Sequence, residues 1–221
     1  RLEHQTERVN EEAYLFQKLF RAGFGTNNID HCTRLCHASS VAALMETIGS
    51  SAVTAPFADV DKTDVIIVIG SNTSNNHPVA ATFIRNATKA GAKLIILDPR
   101  GEAMARYATH MVRFKPGTDV ALLNALMHVI IEDDLTDTDY IAAHTEGYAE
   151  LAEHLKAFSP EKMASHCGVD ADTLRDIAHL YGNAKSAMIF WGMGISQHIH
   201  GTDNARCLIS LALMSGQIGR S

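Results

Sequence analysis

The 221-residue chain has little cysteine, few aromatics, less positive than negative charge and no long apolar run. Four cysteines, Cys32, Cys36, Cys167 and Cys207, are too few to staple a domain of this size. Their sparing use points to a reducing compartment, so a cytoplasmic location is expected. The longest apolar stretch, residues 121–131, falls short of the ~18 residues a membrane helix needs. It also carries Asn124 and His128, so no membrane partner is expected. Lys plus Arg number 19 against 25 Asp plus Glu, a net charge of −6. That balance does not suit a grip on a nucleic-acid backbone. Neither G-x-G-x-x-G nor G-x-x-x-x-G-K-[ST] occurs, so neither NAD nor ATP is indicated. With 46% hydrophobic and 20% charged residues the chain is no disordered polymer. It starts at Arg1 without Met and ends at Gly219-Arg220-Ser221 after an apolar segment. Both ends read as cuts through a longer polypeptide.

What is present is an alternation of strand and helix patterns. Asn10 reads as the cap of a helix through Tyr14, Leu15 and Leu19, stopping near Gly23 or Gly25. Ser39 or Ser40 reads as the cap of a short helix that Gly49 stops. The β-branched run from Asp64 to Gly70 has the pattern of a buried parallel strand. Pro78 suits the first turn of a helix reaching about Ala90, and Lys93 to Leu97 forms the next strand. His110 to Phe114 reads as a third strand, and Asp119 leads an amphipathic helix to about Ile131. Residues 137–184 are helical and charged, with starts at Ser159-Pro160 and Asp170, and read as a helical insertion. Ser186 to Trp191 is a fourth strand, and Thr202 or Asp203 opens the last helix. Strands separated by helices give an α/β fold: a mostly parallel, Rossmann-like sheet with helices on both faces, in a single domain over 1–221.

Such sheets bind ligands outside the carboxyl ends of their strands. That rule selects four loops: Gly70 to His77, Asp98 to Arg100, Lys115 to Asp119 and Gly192 to Gln197. The first offers backbone N–H groups and a helix start, which favour phosphate. The second puts a carboxylate where a dinucleotide fold reads its ribose, and the same group could accept from the N1 and N2 edge of guanine. Polar loops that merely cap a sheet would look the same. The segment from His31 to His37 crowds two Cys and two His into seven residues. Zinc is one reading, although the two cysteines lack a matching second pair; a buried free thiol beside a surface His is the default, and a thiolate on a soft metal with an acid–base His is the third.

The run NNIDHCTRLCHASSVAAL resembles the active-site segment of molybdenum- or tungsten-dependent formate dehydrogenase large subunits. DVIIVIGSNTSNNHPV, GAKLIILDPR, FKPGTDVALLNALMHVIIEDD, AKSAMIFWGMGISQ and LALMSGQIGR extend the resemblance, in order, over nearly the whole chain. The resemblance implies bis-(molybdopterin guanine dinucleotide) carrying Mo or W, with Cys36 as metal ligand where some relatives have selenocysteine. It puts His37 beside the substrate, formate. It assigns Asn72, Asn75, Asn76 and His77 to the loop bordering the pterin dinucleotide, and Asp98 and Arg100 to the nucleotide. It assigns Gly117 and Asp119 to the next loop, and Met193 and Gln197 to the loop after the fourth strand. It further implies an iron–sulfur cluster upstream in the parent chain, a substrate-binding Arg downstream, and electron-transfer subunits, NAD-reducing ones among them. Another two-pterin enzyme such as a nitrate reductase, or a nucleotide-binding module without chemistry of its own, is the alternative.

Overall fold

The structure, a computed structural model, describes residues 11–219. The expected cap Asn10 and the terminal Arg220-Ser221 lie outside them. The chain divides into two compact units, residues 1–36 and 37–221.

In the first unit residues 11–18 are α-helical and run into a π-helical turn, Leu19–Gly23. One face carries an aromatic ladder, with Phe16–Phe20 and Phe20–Phe24 ring centroids 4.9 and 5.3 Å apart. Gly25 ends the segment in the left-handed region, at φ 67°. Asp30 then holds its neighbours: its carboxylate accepts from the His31 amide at 2.8 Å and from Arg34 Nε at 2.8 Å. A helical turn, Thr33–Cys36, closes the unit.

The second unit runs α1 Ala38–Ile48, β1 Val65–Ile69, α2 Pro78–Ala90, β2 Lys93–Leu97, β3 His110–Val112 and α3 Asp119–Glu132. It continues with α4 Thr138–His144, α5 Tyr148–Leu155, α6 Pro160–Cys167, α7 Ala171–Gly182, β4 Ala187–Trp191 and α8 Gly201–Met214. The four strands form one sheet in the order β3-β2-β1-β4, every pair parallel. This is the expected α/β sheet. β1 and β2 lie in its middle and are covered on both faces, which explains their unbroken apolar runs. Ile66, Val68, Leu94 and Ile96 face Ala81, Ile84 and Ala87 of α2 and Met104 of the 3-10 turn Ala103–Tyr107. Val65, Ile67, Ile69, Ile95 and Leu97 face the opposite core, which α1, α3 and α8 build.

The segment 137–184 forms α4 to α7, and its Leu155, Cys167, Leu174 and Ile177 belong to the same core as that sheet face. Since α3 lies buried within this core, it is apolar on nearly every side, from Leu122 to Ile130. None of the helices among the described residues is long and apolar enough to cross a membrane.

Three boundaries differ from expectation. β3 stops at Val112 rather than Phe114, because it is an edge strand whose chain is drawn away: the Lys115 amide donates to Cys167 O at 2.7 Å. α1 starts at Ala38, with His37 at the cap position, not Ser39 or Ser40. Both serine hydroxyls are committed elsewhere, to Ser196. α8 starts at Gly201, where a Cβ would lie 2.2 Å from Ser196 O, so only glycine fits this junction.

Candidate functional site

β1 lies where the sheet order reverses, with β2 on one side and β4 on the other. The loops leaving these strands touch backbone to backbone. Gly194 N donates to Gly70 O at 2.9 Å, and Gly192 N to Ile69 O at 3.2 Å. Gly70 sits at φ 59°, and a Cβ there would lie 2.8 Å from the Gly194 carbonyl carbon. Two glycines thus let two strand-end loops share one rim.

Outside the carboxyl ends of the strands lies a cleft of about 780 Å³, lined from all four strand-end loops. Of the residues singled out from sequence, Asn72, Asn76, Asp98, Arg100, Gly117, Asp119, Met193 and Gln197 line it. Asn75 and His77 are exposed and do not. Arg113, Phe114, Lys115 and His198 also line it. The strand-end rule reaches Arg113 only once β3 ends at Val112.

The cleft sets acceptor groups beside cationic ones. Asp98 is buried, and its Oδ1 accepts from the Arg100 amide at 2.8 Å. The Arg100 guanidinium stands 3.8 Å from the same oxygen and is 76% exposed, so it is free to turn towards an anion. Arg113 packs over Gly101, where a Cβ would meet its guanidinium at 2.7 Å. Asp119 is the first residue of α3 and is buried. Burial pushes its carboxyl up, while its own amide and His198 pull the other way. Asn72 Oδ1 is buried with no hydrogen-bond partner among the described residues. Glu102, on the loop after β2, also has both carboxylate oxygens buried without a hydrogen bond of ordinary geometry. Burial first, then Asp98, pushes its pKa up to about 7, against a smaller opposing pull from the Ser74 amide and Arg100. Nothing in the sequence marks Glu102.

Cys36 ends the turn Thr33–Cys36 of the first unit, and its amide donates to Cys32 O at 3.0 Å. Burial, then the Cys32 thiol, pushes its own thiol above the ordinary range. His37 belongs to the second unit. Its Nδ1 lies 3.0 Å from Ser196 Oγ, on the helical turn Met193–Ser196 that also bears the cleft residue Met193. Among the described residues no group of three or more His, Cys, Asp or Glu is placed to hold a metal ion, so the zinc reading of 31–37 finds no protein ligand set.

Residues 8–221 match the molybdopterin oxidoreductase family. The chain is 41% identical over 96% of its length to formate dehydrogenase H of Escherichia coli, covering 30% of that protein. It is 41% identical, again over 96%, to the F420-dependent formate dehydrogenase subunit alpha of Methanocaldococcus jannaschii, covering 32% of it. A nitrate reductase of Synechocystis matches at 36% over 95% of the chain and 30% of that protein. Among solved structures, acetylene hydratase from Pelobacter acetylenicus superposes with a TM-score of 0.77 at 27% identity, over 85% of this chain and 25% of that one. The chain therefore spans about a third of the length of these relatives. A four-stranded parallel sheet, a polar cleft at its strand ends and a family match over almost every residue together make this chain a member of the molybdopterin oxidoreductase family.

Proposed function

We propose that the chain is the nucleotide-holding α/β part of a formate dehydrogenase catalytic subunit, whose cofactor is bis-(molybdopterin guanine dinucleotide) with Mo or W. The observation that carries this reading is the single cleft onto which Asn72, Asp98, Arg100, Gly117 and Gln197 converge from four loops.

The residues present fit such a group. The cleft volume suits a nucleotide-sized ligand. Arg100, Arg113 and Lys115 supply positive charge for a pyrophosphate. Asp98 and the unpartnered Asn72 Oδ1 are acceptors for a purine that presents N–H groups. When bound, the metal–pterin group supplies a two-electron acceptor. In the reaction formate yields CO2, one proton and two electrons. Cys36 is assigned as the thiolate that holds the metal, since a soft metal favours sulfur. His37 is assigned to the substrate side. The partners that follow are formate, the remainder of the catalytic subunit with its iron–sulfur cluster, and electron-transfer subunits. A cytoplasmic location goes with them.

The nitrate reductase reading rests on the 36% identity to the Synechocystis protein. The adjoining Cys36-His37 pair favours formate. The experiment uses the full-length protein carrying this sequence and measures metal per chain and formate-dependent dye reduction. One Mo or W per chain with formate turnover is expected. Cys36→Ala should abolish turnover. His37→Ala should keep the metal and lower turnover by roughly 10²–10³-fold, the usual cost of removing one positioned hydrogen-bond donor at a reacting centre. Normal turnover in Cys36→Ala, or nitrate reduction without formate oxidation, would overturn the assignment.

A further inference from the structure

His37 is the end of a hydrogen-bonded chain of four side chains. Trp191 Nε1 lies 3.0 Å from Ser40 Oγ, Ser40 Oγ lies 2.7 Å from Ser196 Oγ, and Ser196 Oγ lies 3.0 Å from His37 Nδ1. The chain joins the last residue of β4, the first turn of α1 and the end of the turn Met193–Ser196. Ser40 and Ser196 are 4% and 6% exposed, so water competes little for their hydroxyls. The Ser196 backbone is pinned as well. Its carbonyl accepts from Ser39 Oγ at 2.6 Å and sits against Gly201, where no side chain would fit.

One end of this chain fixes its direction. An indole N–H can only donate, so Trp191 donates to Ser40 Oγ. Among the described residues the Ser40 hydroxyl hydrogen has one acceptor, Ser196 Oγ. Ser196 thus receives a hydrogen there and must point its own elsewhere. Two acceptors are near: His37 Nδ1 at 3.0 Å and Gly192 O at 3.5 Å, the second at the limit of hydrogen bonding. The nearer one wins. We infer that Trp191, Ser40 and Ser196 are positioning residues that hold neutral His37 as the Nε2–H tautomer, with Nδ1 accepting from Ser196. A neutral imidazole whose Nδ1 accepts must carry its hydrogen on Nε2.

The consequence rests on the function proposed above. Nε2 has no partner among the described residues, so its N–H is the donor left for a ligand. In this state His37 orients a formate oxygen by donating to it. A bare Nε2, which would take a proton from substrate, belongs to the other tautomer.

The test is long-range ¹H–¹⁵N correlation on this chain labelled with ¹⁵N-histidine, with the His37 signals identified by their loss in His37→Gln. The wild type should show an unprotonated Nδ1 and a protonated Nε2. Trp191→Phe removes the obligate donor and Ser196→Ala the last link, and each should give a mixture of tautomers. Ser196→Thr, which keeps the hydroxyl, should restore the wild-type pattern. A protonated Nδ1 in the wild type overturns the inference without any variant. So does an unchanged tautomer in both Trp191→Phe and Ser196→Ala. These readouts do not depend on turnover: loss of the formate reading with an intact Nε2–H pattern would sink the function alone, and the reverse would sink the relay alone.

Discussion

At the scale of single residues, Glu102, which neighbours the cleft residue Asp98 without lining the cleft, shows how a strongly perturbed group escapes detection in sequence. It lies four positions after Asp98, in a stretch with no motif, and only the folded loop sets it against Asp98 and the Ser74 amide. Its pKa rises from an ordinary 4.5 to about 7. Below about pH 4.5 the carboxyl is protonated folded and unfolded, and its contribution to stability is fully present. Between about 4.5 and 7 the unfolded chain ionises first, so that contribution is lost as pH rises. The full shift would correspond to about 3 kcal/mol. Because the residue is only partly buried, solvent screening reduces this to about 1–2 kcal/mol. Glu102→Gln should therefore stabilise the chain by that amount more at about pH 8 than at about pH 4, read from urea midpoints. An equal effect at both pH values would show that the carboxyl is well solvated.

At the scale of elements, the strands were legible because both middle strands are buried on both faces and so are apolar throughout, apart from the exposed Lys93 that opens β2. Helix starts were less so. At α1 the residues with capping side chains, Ser39 and Ser40, are used for tertiary hydrogen bonds, a choice that local sequence does not reveal. The junction of β1 and β4 yields a graded test. Gly70 combines a left-handed φ of 59° with a neighbour 2.8 Å from its absent Cβ, whereas Gly117, at φ 83°, has open space. Gly117→Ala should cost only the backbone term, about 1–2 kcal/mol. Gly70→Ala adds a backbone clash and should cost clearly more, about 3 kcal/mol or above. Equal unfolding midpoints would mean that the two loops part easily.

At the scale of the whole molecule, the strand-end rule located the cleft from sequence because a parallel sheet puts every such loop at one end. The relay to His37 was out of reach, since Ser40 and Ser196 stand 156 residues apart and no spacing rule joins them. The same topology governs the order of assembly. β1 meets β2 across one helix, but its other neighbour waits: Asp64 and Ser186, which open the β1–β4 pairing, are 122 residues apart. Closing so long an interval delays β4, although it adds little to the equilibrium cost. In refolding, amides of β2 should gain protection from exchange before those of β4. On the ribosome, 122 residues take on the order of ten seconds to emerge. For that interval one edge of the most apolar strand in the chain stands open, making this stretch of synthesis the one in which a chaperone would matter most.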